Sequence, residues 1–319
     1  MSDAEQPDIE EQPGVPPLAR TALDRAAHHR GDPQWLSDAW NRARVLVIHA
    51  ATGRAPVRER ADGGAELVLL DAVEAPQGER LFLGLDPDGT PLFGVDAPLP
   101  EVDGAHGKTL RDVGERLDDR DAGLFSAAAA LANWHLSHQF SPRSGQKTTV
   151  TDGGWVRVDA DGRQMWPRTD PAMIVLIHDG VPGPDGCCLL GHNAAWPSGD
   201  GSRRFSTLAG FVEPGESAEA AVAREVLEEV GVRLTSMRYE GSQAWPYPGS
   251  LMLGFTAVAD RDQAIMVDPE EIDEARWFTR AQIRQMMAGD YRDPETGVVM
   301  YLPMRASIAL FLVQRWLSA

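Results

Sequence analysis

Residues 210–232 read GFVEPGESAEAAVAREVLEEVGV: a loop, a helix and a stop. Gly210 and Gly215 permit tight backbone geometry, and Pro214 stiffens the loop. Ser217 is placed to cap a helix, and Glu216 and Glu219 lie where the helix dipole favours negative charge. Ala220 to Val230 is predicted helical, with Gly231 able to take the left-handed conformation that ends a helix. Ala221, Val222, Val226 and Val230 supply an apolar stripe. Arg224 and Glu228 are four apart, as are Glu225 and Glu229, so each pair shares a face. Three carboxylates, Glu225, Glu228 and Glu229, therefore crowd one side of the helix. A divalent cation would remove their repulsion, because hard cations take carboxylate oxygens, and a phosphate substrate is its natural companion. A pair of adjacent glutamates alone reads more readily as a solvated acidic face.

The spacing decides between the two. The pattern G-x5-E-x7-R-E-U-x-E-E-x-G-U, with U apolar, fits at Gly210, Glu216, Arg224, Glu225, Val226, Glu228, Glu229, Gly231 and Val232. Its seven fixed positions would coincide by chance about once in 10⁸ placements. This is the Nudix box, and the chain resembles a Nudix hydrolase, an enzyme that cleaves a nucleoside diphosphate linked to another group with Mg²⁺ or Mn²⁺. The resemblance implies a Nudix α/β/α sandwich with a mixed sheet at the C-terminus. It implies Glu225 and Glu229 as metal ligands, with the carbonyl of Ala209 as another. Glu229 or Glu228 would be the catalytic carboxylate that orients or deprotonates the attacking water. Arg224 and Glu216 would brace the loop against the helix.

A second string narrows the substrate. Residues 242–252 read SQAWPYPGSLM. They resemble the SQPWPFPxS segment of the NADH pyrophosphatase branch. Ser242, Gln243, Trp245, Pro246, Pro248 and Ser250 match, Ala244 replaces a proline, and Tyr247 replaces Phe while keeping an aromatic face. The resemblance makes Gln243, Ala244, Trp245, Pro246, Tyr247, Pro248, Gly249 and Ser250 substrate-binding residues, joined by Trp166, Phe211 and Ala309. In the acidic stretch DPEEIDEARW, residues 268–277, the further metal ligand would be Glu271, with Glu274 as runner-up. Many relatives carry a zinc ribbon before this domain. Here Ser141 and Ser144 stand at the first cysteine pair and Asp159-Ala160-Asp161 at the second, so no structural zinc is expected. A small zinc-ribbon-like connector without zinc, packed around Trp155 and Phe140, should remain.

Working outward, residues 1–19 hold five acids, no bases and four prolines, which predicts a disordered acidic tail. Residues 20–120 read as a β-rich N-terminal domain: strands at Arg44 to His49 and Glu66 to Asp71, then a hairpin over Arg80 to Val95 turning at Asp86-Pro87-Asp88-Gly89. Residues 121–170 read as a mostly buried helix, Asp121 to His138, plus the connector. His135 and His138, one turn apart, could pair on a metal, but polar residues at a helix end are the commoner meaning. Residues 171–319 form the catalytic domain, opening with paired strands at Ala172 to His178 and Gly186 to His192 and closing with an amphipathic helix from Met304 to Leu317.

The formal charge of −18 over 319 residues, from 30 basic and 48 acidic side chains, argues against broad nucleic-acid binding and suits a site that collects divalent cations. Two adjacent cysteines, Cys187 and Cys188, exclude a disulfide scaffold and fit a reducing cytoplasm. No run of apolar residues approaches a membrane span, and the acidic N-terminus is unlike a signal peptide. The expected reaction is hydrolysis of the NAD(H) pyrophosphate to NMN(H) and AMP. Second in rank is the same cleavage at the NAD-capped 5′ end of an RNA, with Arg203 and Arg204 as the nearest basic pair. A hydrolase of ADP-ribose or another nucleoside diphosphate would need only the box. A binding protein would normally have lost one of its glutamates. The resemblance also implies a homodimer.

Overall fold

The structure is a computed structural model that describes residues 14–196 and 202–319. Short branched segments separated by turns make the first region. Its strands are β1 (Arg44–Ile48), β2 (Arg54–Glu59), β3 (Ala65–Leu67), β4 (Leu70–Asp71), β5 (Arg80–Leu85), β6 (Pro91–Asp96) and β7 (His106–Thr109), with helix α1 (Pro33–Trp40) before them. They form a four-stranded sheet in the order β4-β1-β6-β5 and a three-stranded one in the order β3-β2-β7. The hairpin turn closes where Asp86-Pro87-Asp88-Gly89 placed it, with Gly89 N–H on the Asp86 carbonyl and φ at +82°. The single strand predicted over Glu66 to Asp71 is instead two, in different sheets. The chain is turned between them by the buried Asp121 carboxylate, which accepts from Leu67 N–H at 2.7 Å.

After the one-turn helix α2 (Leu110–Val113), α3 (Asp119–Ser137) runs through the core, buried on almost every side. Residues 1–13 of the expected acidic tail lie outside the described residues. The remainder is docked: Pro17–Ala19 is a 3-10 turn, Leu18 is buried in the N-terminal core, and its N–H donates to Gln243 Oε1 at 3.2 Å. An apolar side chain with a place in a core offsets the polar character of its surroundings.

Between the regions, β8 (Thr149–Thr151), β9 (Val156–Val158) and β10 (Gln164–Met165) make a small antiparallel sheet that is not discernible as a zinc ribbon. Ser144 Oγ donates to Asp159 Oδ2 at 3.0 Å, and the N–H groups of Asp161 and Arg163 donate to Oδ1 at 3.0 Å each. A buried carboxylate thus gathers the turn. Trp155 anchors the module, donating from Nε1 to the Phe82 carbonyl at 2.7 Å beneath the Arg30 guanidinium. Phe140 does not join it: its ring is 60% exposed, so the expectation that it packs the connector is corrected. His135 is structural, with Nε2 on the Gly154 carbonyl and Nδ1 facing Arg157, and burial pushes its pKa down to about 4.

The continuous apolar run AMIVLIH becomes β11 (Asp170–His178), the central strand of the second region. It is followed by β12 (Cys187–Asn193), β13 (Ser202–Arg204), β14 (Leu208–Phe211), α4 (Ala218–Val230), β15 (Leu234–Trp245), β16 (Ser250–Ala259), β17 (Ile272–Thr279), α5 (Arg280–Ala288), β18 (Val299–Tyr301) and α6 (Ile308–Ser318). The mixed sheet runs β15-β16-β11-β12-β17, with β16 parallel to β11 and β14 paired antiparallel to it. Met173, Val175 and Ile177 pack on α4; Ile174 and Leu176 pack on α5 and α6. Burial on both faces explains why β11 is apolar throughout rather than alternating. Helix α6 starts later than Met304, because Ser307 caps it by accepting from Ala309 N–H at 3.1 Å. Cys187 and Cys188 are buried in β12 as free thiols. Among the described residues, no helix is long and apolar enough to cross a membrane.

If the Asp159 carboxylate holds the connector in place of a metal, Asp159→Ala lowers the urea midpoint, and a zinc chelator leaves the wild-type midpoint unchanged. A chelator-sensitive midpoint would show that a metal holds the module after all.

Candidate active site

The loop before α4 is fixed by one guanidinium. Arg224 Nε and Nη2 grip Glu216 through Oε1 and Oε2, both at 2.9 Å, and Nη2 also donates to the Phe211 carbonyl at 3.0 Å. Nη1 meets Glu225 Oε1 at 3.0 Å and Glu228 Oε2 at 2.9 Å. A planar fork is suited to this bidentate grip. It holds the Glu216 carboxyl below its ordinary range and the guanidinium above its own. Ser217 caps the helix at Ala220 N–H, and Gly231 closes it at φ +72°.

The three carboxylates that the helix pattern grouped do not stay together. Glu228 turns to Arg224 with its side chain 56% exposed. Glu225 and Glu229 turn inward and are joined by Glu271, their ligand oxygens all within 4.8 Å of one another. Glu271 is delivered by the loop before β17, which is tied to α4 by Asp268 N–H on the Glu229 carbonyl at 3.0 Å. Glu274, the runner-up, is engaged elsewhere, with Arg203 and Arg276.

Burial pushes the Glu229 carboxyl up to about 8, reinforced by the charges of Glu225 and Glu271, and Glu225 is raised by burial as well. Glu229 Oε2 is buried with no hydrogen-bond partner among the described residues. Gly210 forms the other side of this cradle: a Cβ there would stand 2.0 Å from the Glu225 Cδ, so only glycine lets the carboxylate in. An oxygen-only donor set, mutually repelling and with an orphaned buried atom, fits a hard divalent cation.

Glu229 also lines a cavity of about 360 Å³, together with Ala209, Gln243, Trp245 and Ala309. Gln243 is 1% exposed, its amide accepting from Leu18 N–H and donating to the Ala306 carbonyl at 3.1 Å. It braces β15 against two other segments. Trp245 and Tyr247 meet edge to face at 5.2 Å. Ala244 and the residues after the strand, Pro246, Pro248, Gly249 and Ser250, line a different cavity. Phe211 and Trp166 are 60% and 59% exposed, and neither lines the cavity that Glu229 lines. Of the basic pair, Arg203 is held by Asp273 and Glu274, while Arg204 lines the cavity and stacks on Trp196 at 3.8 Å.

One residue that sequence reasoning passed over is Arg111. It reaches the cavity from α2 in the N-terminal region, its guanidinium 4.3 Å from the Tyr247 ring centroid. The Thr109–Asp112 capping box marks the start of that helix, but nothing local marks its approach to the cavity.

Residues 168–296 match the family described as NUDIX domain, and residues 39–134 match the one described as NADH pyrophosphatase-like rudimentary NUDIX domain. The chain is 38% identical over 309 residues to the NAD-capped RNA hydrolase NudC of Mycobacterium tuberculosis, covering 95% of each chain. It is 36% identical over 213 residues to the human NAD-capped RNA hydrolase NUDT12, covering 63% of this chain and 43% of that one.

Two measurements test the acid cluster without turnover. Gly210→Ala displaces Glu225 and should abolish Mn²⁺ binding by calorimetry; retained affinity would place the metal elsewhere. A carboxyl raised to about 8 when folded holds a proton that the unfolded chain releases near its ordinary pKa. Stability of metal-free protein should therefore fall as pH rises from 6 to 8. Glu229→Gln removes that slope and stabilises metal-free protein at pH 8 by on the order of 2 kcal/mol. A slope unchanged in the variant would assign it to another group.

Proposed function

The chain belongs to the Nudix hydrolases, and on that premise we propose that it removes NAD caps from RNA 5′ ends by cleaving the pyrophosphate between NMN and AMP. Free NAD(H) is cleaved by the same site to NMN(H) and AMP. The order of the two is the reverse of the one drawn from net charge. The relatives that match along the chain carry the name NAD-capped RNA hydrolase, and only the NMN–AMP end of a capped RNA need enter the cavity. The observation that carries the proposal is Glu229, which belongs at once to the acid cluster and to a cavity presenting Arg111 and Arg204.

In this proposal Glu225, Glu229, Glu271 and the Ala209 carbonyl hold Mg²⁺ or Mn²⁺, and zinc has no part. When bound, such an ion would neutralise charge on the pyrophosphate and lower the pKa of a water. The chain's own groups do the rest. Glu229, which faces the cavity, orients the attacking water or takes its proton. Arg111 and Arg204 supply positive charge for the phosphates in a chain that is otherwise acidic. Trp245 and Tyr247 offer apolar faces to a base. Glu228 acts by keeping Arg224 in place. Phe211 and Trp166 stack on a base at the rim, and their exposure suits a homodimer in which one subunit completes the other's site. The catalytic domain is taken as residues 171–319, on a β-rich domain of residues 20–120.

Purified protein with Mn²⁺ should release NMN from NAD-capped RNA and NMNH plus AMP from NADH. Glu229→Gln should lower kcat by about 10²–10⁴-fold on both. Arg111→Ala should raise KM about tenfold with little change in kcat. Turnover of ADP-ribose alone would leave a Nudix hydrolase of another substrate. No turnover of any of them would sink the hydrolase proposal.

A further inference from the structure

Strand β15 serves two cavities. Gln243 and Trp245 line the candidate active site, while Ser242 and Ala244 line a second cavity of about 580 Å³ behind the strand. Alternate side chains of a strand point to opposite faces, so the division follows from the sequence itself. The rest of that second wall comes from α3, the segment around Leu18 and residues 167–170. Its size lies within the range of small-molecule sites.

Its chemistry points to an anion with a flat body. Trp134 and Ser126 line it, are 4% and 6% exposed, and their Nε1 and Oγ atoms have no hydrogen-bond partner among the described residues. An indole N–H can only donate, and a buried donor without an acceptor is costly. Arg25 and Arg168 are on the same wall, and neither has a carboxylate partner among the described residues. Asp170 is the single acid among the lining residues, in a chain with net charge −18. Trp134 and Trp155 supply aromatic surface. The helix that carries Trp134 also holds the substrate segment, since Asn133 Nδ2 donates to the Pro246 and Pro248 carbonyls at 2.7 and 3.2 Å.

We propose that this cavity is a second ligand site, for a nucleoside monophosphate, set behind the strand that carries the candidate substrate residues. The choice of a nucleotide among flat anions rests on the hydrolysis proposed above, whose products are of that class. The orphaned donors and the unpaired arginines do not depend on it. A phosphate would lie toward Arg25 and Arg168, and the base against the apolar floor near Ala130.

The test is titration calorimetry of the full chain with AMP in EDTA, where the acid cluster holds no metal, paralleled by tryptophan fluorescence. Wild-type protein should bind AMP saturably with quenching of Trp134 or Trp155. Arg25→Ala should weaken binding at least tenfold, and Ala130→Trp, which fills the cavity, should abolish it. Inorganic phosphate should bind at least tenfold more weakly than AMP, and Glu229→Gln should bind AMP as wild type does. Absence of AMP binding, unchanged binding in Ala130→Trp, equal binding of phosphate, or loss in Glu229→Gln would each overturn the proposal. Should Ala130→Trp fail to fold by circular dichroism, Arg25→Ala and Arg168→Ala decide. Because binding is read without turnover, a chain that binds AMP here but cleaves neither NADH nor capped RNA loses the proposed function and keeps the site.

Discussion

The grip of Arg224 on Glu216 and the Phe211 carbonyl is the constraint on which the site depends. In the loop from Phe211 to Glu216, Val212 packs on the core that α4 shares, and the acidic remainder needs a polar anchor. A bidentate guanidinium pair supplies it with two parallel hydrogen bonds and leaves one nitrogen for Glu225 and Glu228. That last contact matters most. It gives Glu225 and Glu228 a cationic partner, while Glu229, the most deeply buried of the three, has none from Arg224. One cation thus fixes the loop and sorts the glutamates.

The consequence is a carboxyl that the fold itself leaves unsatisfied. Glu229 sits against Glu225 and Glu271 with an oxygen that no donor reaches. A structural glutamate in that position would be selected against, since a buried charge without a partner destabilises by several kcal/mol, on the order of 3–5. The backbone nonetheless invests in it: Gly210 has no side chain, Asp268 is tied to the end of α4, and Glu271 is carried in from a separate loop. Local cost with such distributed support is the mark of a site that is completed by something outside the chain.

Much of this was legible beforehand, and the reasons are local. The loop, the Ser217 cap, the helix and the Gly231 stop are each specified by residues within a few positions of one another, so they could be read directly. β11 was legible because both its faces are buried. What could not be read is what depends on distant segments. The grouping of Glu225, Glu228 and Glu229 by helical spacing was geometrically sound, but a salt bridge removed one and a remote loop supplied Glu271. Phe140 looked like a core residue from hydrophobicity alone and is exposed. Gln243, read as a ligand contact, lines the cavity and also fastens Leu18 and Ala306 to β15, which no local pattern shows. Arg111 was missed because its chemistry lies in where α2 sits, which no local pattern encodes.

The same contrast explains why the SQAWPYPGS segment carries more than one task. An edge strand presents both faces, and here neither faces bulk solvent. Gln243 and Trp245 look toward Glu229, and Ser242, Ala244 and Pro246 look toward Trp134 and Arg25. A change in the shape of one cavity must therefore be felt in the other, because a strand cannot move one set of side chains without the other set. Asn133 strengthens that coupling by holding the carbonyls of Pro246 and Pro248 to α3, a helix too buried to yield. The strand thus links the N-terminal core to the acid cluster, and the Leu18 contact with Gln243 extends that link to the start of the described chain. On these grounds the first region belongs to the working of the site as much as to its scaffold: it supplies Arg111 on one face of β15 and the wall of the second cavity on the other.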